Sequence, residues 1–136
     1  MNIESRTDRA KELRTQTIRG EINPPEIISF LKDLYHSTEF DPTLHSLWDA
    51  TDAVFRDVTT AEIRELANFV RVNWAEKYPP KTAIVITGDY HFGLSRMFEQ
   101  FIGPSGHGKI RTFRDLPGAT DWIQGKGSAA PQPSIG

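Results

Sequence analysis

Polar and apolar positions along this chain switch between two periods, and each switch marks an element. Residues 2–8 and 12–20 are polar and Thr-rich with period-two alternation. Asp8-Arg9-Ala10-Lys11 supplies the turn between them, so the pattern predicts an N-terminal hairpin whose second strand Gly20 closes. Helical spacing then takes over, with Ile27, Ile28, Leu31, Leu34 and Tyr35 on one side. Asn23-Pro24-Pro25-Glu26 starts that helix: Asn23 is the cap, proline fills the first positions, and Glu26 sits three residues after the cap. Asp41-Pro42 makes a turn, and residues 44–48 read as a short strand ending at Asp49. A second helix is predicted from Thr60 to about Lys77, carrying Ile63, Leu66, Ala67, Val70 and Trp74, and ended by Pro79-Pro80.

The most telling stretch is residues 82–103. Ala83-Ile84-Val85-Ile86 is apolar at every position, so the strand must be covered on both faces, as a central parallel strand is. Gly88-Asp89 turns it into a helix over 91–102 with Leu94, Met97, Phe98, Phe101 and Ile102. Trp48, Ile84, Ile86, Met97 and Phe101 are expected to form the core there. A Gly-rich loop follows, then a strand over 109–113 whose Lys109 and Arg111 suit a sheet edge. Asp115 caps a last helix carrying Leu116, Ala119, Trp122 and Ile123. The order is ββαβαβαβα, and right-handed crossovers make the three later strands parallel neighbours or near-neighbours. One α/β domain over 1–124 is expected, followed by a tail over 125–136 with too few apolar groups to pack.

Composition narrows the functional classes. At 136 residues with a net charge of −2 and interspersed charges, the chain lacks the basic excess that nucleic acid or an anionic membrane calls for. The absence of cysteine excludes disulfides, thiolate zinc sites and a Cys nucleophile. No apolar run approaches a membrane span, and the N-terminus has no signal-peptide core, so a reducing cytoplasm is the expected setting.

Gly103-Pro104-Ser105-Gly106-His107-Gly108-Lys109 has the spacing of a phosphate-binding loop. That chemistry needs a strand before, a helix after, and Ser or Thr next; here a helix precedes, a strand follows, and the next residue is Ile110. No nucleotide binding is expected of it.

Candidate chemistry lies instead at the carboxyl ends of the parallel strands, where such sheets place their sites. Asp49, Thr51 and Asp52 leave one strand there, Asp89, Tyr90 and His91 the next, and Arg114 and Asp115 the third. His91 beside Asp89 could serve as an acid–base pair, although no nucleophile or oxyanion donor accompanies them. Asp89 and Asp115 also stand where helix caps belong, and His36, His45 and His107 are isolated. Phe92, Met97, Phe98 and Phe101 either form the core face of their helix or line a pocket for an apolar ligand.

The run SLWDATDAVFRDVTTAEIRELA, followed by TAIVITGDYHFGLSRMFEQF and FRDLPGATDWI, resembles the SpoIIAA-like group of small bacterial proteins. Their fold is of the STAS type (sulphate transporter and anti-sigma factor antagonist) and is grouped with Sec14-like, CRAL-TRIO domains. The resemblance covers about Glu12 to Ile123 and implies a mixed sheet of four or five strands with helices mainly on one side, in keeping with the N-terminal hairpin, three parallel strands and four helices read above. It implies no chemistry of its own. In the anti-sigma antagonists an Asp-Ser-Ser-Gly motif carries a phosphorylated second Ser. Asp57-Val58-Thr59-Thr60 falls on that motif and makes Thr59 the candidate phospho-acceptor, with Val58 and Thr60 departing from the pattern. Thr59-Thr60-Ala61-Glu62 is also a capping box, which explains Thr59 locally.

The expected function is a non-enzymatic binding or regulatory module without cofactor or metal, monomeric or homodimeric. It would engage a protein partner or carry a small apolar, lipid-like ligand under helix 91–102. An enzyme using the Asp89/His91 rim is the third reading. The ligand-binding candidates are Asp49, Asp52, Asp89, His91, Phe92, Met97 and Arg114.

Overall fold

The computed structural model describes residues 1–73, 80–103 and 109–125. Strand β1 (Asn2–Asp8) turns through a single 3-10 turn at Arg9–Lys11 into β2 (Leu13–Glu21), and the two pair antiparallel. Helix α1 (Pro24–His36) begins as its sequence dictates: the Asn23 side chain accepts from the Glu26 N–H at 3.1 Å, and proline stands at the first positions. Strand β3 (His45–Val54), helix α2 (Thr60–Val72), strand β4 (Thr82–Val85), helix α3 (Asp89–Ile102), strand β5 (Ile110–Phe113) and helix α4 (Leu116–Ile123) follow.

The sheet order is β1-β2-β3-β4-β5, with β2 to β5 parallel. Because each crossover steps in the same direction, the right-handed rule sends α1, α2 and α3 to one face. Packing agrees. Ile27, Leu31, Ala67, Val70 and Ile102 join Ile18, Ala50 and Ile86 in one core cluster. On the other face α4 alone contributes, placing Ala119 and Ile123 against Leu47, Ala83 and Val85. The apolar run in β4 is covered on both sides, and β5 lies at the edge.

Two boundaries differ from the sequence expectation. Strand β3 does not stop at Asp49 but runs to Val54, pairing with β2 across a register shift. Thr17 opposes Asp49 and Arg19 opposes Asp52, so β3 carries one extra residue, a bulge that lets Ala50 and Ala53 reach the same core. Helix α2 ends at Val72, where Asn73 is the C-cap and its side-chain amide donates to the Phe69 carbonyl at 2.9 Å. Residues 74–79, including Trp74, lie outside the described residues, as do 104–108 of the Gly-rich loop and 126–136 of the tail.

Of the expected core residues, Ile86 is fully buried, whereas Trp48, Ile84 and Phe101 are half-buried against the α1–α3 cluster. Met97 is half-buried and belongs to neither cluster, and the Arg64 guanidinium lies 4.8 Å from the centre of the Phe101 ring. These two stand on the α3 surface near its C-terminal end, not at the centre of the packing.

Candidate functional site

Strand register decides which side chains share the α1–α3 face. Arg14, Ser46, Thr82 and Ile110 are neighbours in one row across β2 to β5. Gln16, Trp48, Ile84 and Thr112 form the next row on the same face. A third level is set by Ile18, Ala50 and Ile86. Opposite them, α1 presents Ile27, Leu31, Leu34 and Tyr35, α2 presents Ile63, Leu66 and Val70, and α3 presents Leu94, Ser95 and Phe98. Each set follows helical spacing, so each helix turns one stripe toward the sheet. These layers leave a cavity of about 150 Å³ between them, mostly apolar, reaching from the Arg14 row to Ile22, Phe55 and Val58.

The amino end of this cavity is polar. Arg14 is buried, and its Nη2 donates to Ser46 Oγ at 3.2 Å. Its guanidinium carbon lies 5.1 Å from the centre of the Phe40 ring. Burial lowers the Arg14 pKa, opposed by the nearby Tyr35 and Asp41, yet an arginine stays cationic at any physiological pH. Burial likewise raises the Tyr35 pKa, against the pull of the Arg14 charge. Asp41 is itself engaged by Arg9 at 3.2 Å and by Thr43 at 2.6 Å. Among the described residues no carboxylate forms an ion pair with Arg14.

Next to it, Gln16 is 0% exposed, and neither its amide nitrogen nor its oxygen has a hydrogen-bond partner; Arg14 Nε has none either. Exchanging the nitrogen and oxygen of Gln16 changes nothing, because both ends are orphaned. A buried unsatisfied polar atom costs about 1–3 kcal/mol, and native structures carry few. Further along the sheet Ser95 Oγ and Thr112 Oγ1 lie 2.8 Å apart, and Thr112 Oγ1 also donates to the Glu99 carboxylate.

The carboxyl ends of the strands are built differently. Asp89 is ion-paired with Arg114 at 2.8 Å, on a side chain 94% exposed, and the Arg114 guanidinium covers the Phe92 ring at 4.1 Å. His91 packs on the Phe55 ring at 5.2 Å, and its Nε2 faces the Phe55 N–H at 3.5 Å. Asp89 and His91 therefore have separate partners. Asp49 accepts from the Thr51 N–H at 3.1 Å and the Thr51 hydroxyl at 2.8 Å, a turn-like bond within β3. Asp52 is exposed and opposes Arg19. Asp115 caps α4 through the Gly118 N–H at 2.8 Å. Of the four α3 side chains offered from the sequence as a ligand pocket, Phe98 lines the cavity, while Phe92, Met97 and Phe101 do not. Among the described residues no three His, Asp or Glu side chains converge as metal ligands, and no helix is long and apolar enough to cross a membrane.

Thr59 sits where its capping box predicts. Its hydroxyl accepts from the Glu62 N–H at 3.1 Å, and the Glu62 carboxylate accepts from the Thr59 N–H at 3.0 Å. Asp57 takes a left-handed conformation (φ 61°) just before it, which aspartate tolerates better than most residues. Thr59 itself is exposed.

The residues at the polar end of the cavity were not singled out by sequence, though a signal existed. Arg14 and Gln16 share strand parity with Ile18, the one apolar residue in the second hairpin strand after Leu13. Parity alone places both on the buried face.

No protein-family model matches the chain, and no curated protein matches it. Among solved structures it is similar to an uncharacterized protein from the DUF3478 family with a SpoIIAA-like fold from Shewanella loihica PV-4. The TM-score is 0.55 and the identity 17%, over 90% of this chain and 92% of that one. At that identity the likeness concerns the fold, and it agrees with the resemblance drawn from the sequence: this is a SpoIIAA-like α/β fold.

Proposed function

We propose that this SpoIIAA-like chain is a non-enzymatic binding module whose cavity beneath α1, α2 and α3 holds a small, mainly apolar ligand. The observation that supports it most is the cavity itself, about 150 Å³ lined by Ile, Leu, Val, Phe and Trp side chains. An apolar cavity of that size accepts benzene in an engineered lysozyme. An occupant would gain the van der Waals contacts that the apolar lining forgoes where it faces empty space.

Thermal unfolding in benzene-saturated buffer tests this reading. The unmodified chain should gain a few degrees in Tm by mass action. Ala50→Leu, which extends a buried wall residue into the cavity, should lose most of that gain. Equal gains in both proteins, or none in either, would count against the reading.

A protein partner is the second reading, and one observation favours it. Of the four large apolar residues exposed among the described residues, three lie at the carboxyl end of the sheet, Val54 at the end of β3, Tyr90 at the start of α3 and Leu116 at the start of α4; the fourth, Val72, ends α2. If that end joins two copies of the chain, sedimentation should reveal a dimer that Tyr90→Glu dissociates. A monomer at every concentration would remove self-association from consideration.

A further inference from the structure

Three groups at the amino end of the cavity share one deficiency. Arg14 carries a buried positive charge with no ion-pair partner among the described residues, and its Nε donates to nothing. Gln16, fully enclosed, has a free amide donor one row further in. The Ser46 hydroxyl, which already accepts from Arg14 Nη2, keeps its own hydrogen to donate. All three line the same cavity, and the remainder of its wall is mainly apolar. A buried cation is ordinarily paired, and a buried amide is ordinarily hydrogen-bonded. Each has a donor to spare, and the unpaired charge of Arg14 favours an anionic acceptor; Gln16 Oε1, also unpartnered, calls for a donor instead.

We propose that the amino end of this cavity is a carboxylate site, and that its occupant is a small monocarboxylic acid with an apolar body of about six to ten non-hydrogen atoms. This rests on the ligand-binding reading above and adds the head group. The carboxylate lies against the Arg14 guanidinium and the Ser46 hydroxyl, and a small rotation of the side chains brings the enclosed Arg14 Nε and Gln16 amide to it. The body runs between Trp48 and Ile84 on the sheet and Leu94 on α3. The Phe40 ring and Tyr35 flank the guanidinium, and the neighbouring carboxylate, Asp41, is drawn off by Arg9, so the charge of Arg14 is left for the ligand. Size limits what is buried: about 150 Å³ encloses a body of this length and cannot enclose a whole long-chain fatty acid.

Calorimetry of the full chain with octanoate and octanamide, which differ only in the head group, tests the proposal. The unmodified protein should bind octanoate at least tenfold more tightly. Arg14→Met should abolish that preference while leaving octanamide affinity within about threefold. Should Arg14→Met fail to fold, the carboxyl signal of octanoate labelled with carbon-13 at C1 gives the answer on unmodified protein. Bound beside Arg14, the acid must titrate below its free value, whereas apolar burial alone would raise it. Equal affinities, a preference for octanamide, or a raised carboxyl pKa would overturn the carboxylate site and leave Gln16 to water. Such results leave the apolar cavity intact if benzene still raises Tm. Failure of octanoate, octanamide and benzene together would overturn both readings.

Discussion

The two faces of the sheet solve the same packing problem with opposite outcomes. Under α4 the side chains are small and closed: Ala83, Val85 and Ala119 are each 0% exposed, and Ile123 and Leu47 fill the remaining space. The buried-side polar groups of His45 and Lys81 are hydrogen-bonded there. His45, in register with Leu13, accepts the Lys81 N–H at 2.9 Å, and Lys81 Nζ donates to the Trp122 carbonyl at 2.6 Å. Under α1–α3, larger residues leave a cavity, and Arg14 and Gln16 are buried with unpartnered atoms. One face is consistent at every level, as a purely structural layer should be. The other breaks the rules on packing and polar satisfaction together, at one place, which is how functional sites differ from scaffolds.

The largest expected contrast is in core truncation. Ile123→Ala on the closed face should cost about 2–5 kcal/mol, because nothing can collapse into the space. Leu94→Ala, whose side chain already borders empty volume, should cost less than about 2 kcal/mol. Urea midpoints of the two variants check this, and equal losses would mean the faces are packed alike.

Polar substitutions should separate the faces by sign. Lys81→Met removes a satisfied hydrogen bond and should destabilise by about 0.5–1.5 kcal/mol. Gln16→Leu removes two orphaned atoms and should leave stability unchanged or raise it by up to about 1 kcal/mol. A loss on Gln16→Leu as large as that on Lys81→Met would erase the distinction. At the entry to α2, on the cavity side, Thr59→Ala should cost about 1 kcal/mol and Thr59→Ser very little, since Ser caps as well. Thermal melts that treat the two alike would deny the capping role.

The smallest effect is a pH dependence on the closed face. Burial, then the Lys81 charge, hold the His45 pKa below the usual histidine value, with Lys109 adding to this and Glu12 opposing it. The folded state thus prefers neutral imidazole. Its contribution is complete above the unfolded pKa of about 6.5 and is lost as pH falls from there through the lower folded value. His45→Asn keeps an acceptor for Lys81 without titrating. Its urea midpoint should therefore fall less than that of the unmodified chain between about pH 7.5 and about pH 5.5. The same fall in both would assign the acid sensitivity elsewhere.

Much of this architecture is legible in the sequence, because caps and periodicity are local. Asn23, Thr59 and Asp115 mark three helix starts, and each accepts the backbone hydrogen bond its spacing requires. The four apolar residues after Thr82 announce a strand covered on both faces. What local patterns conceal is register. Strand β3 looks finished at Asp49 because Asp49, Thr51 and Asp52 are polar. The inward residues there are only alanines, and their burial depends on a bulge set by the partner strand. The polar end of the cavity is hidden for the same reason. Arg14 and Gln16 share the parity of Ile18, but a charge and an amide in a Thr-rich hairpin do not stand out as cavity residues until β3 pairs beside them and α1 folds over. The Asp89/His91 rim shows the converse: residues two apart in sequence are drawn to separate partners by Arg114 and Phe55.

The claim that one face is a ligand site and the other a scaffold is tested most directly by where a small apolar probe makes contact. Intermolecular nuclear Overhauser effects should be measured from benzene to the methyl groups and rings of the assigned full chain. The account predicts contacts to Trp48, Ile84, Leu94 and Phe98, and none to Ala83, Val85 or Ala119. Contacts spread over both faces, or confined to the α4 side, would contradict it.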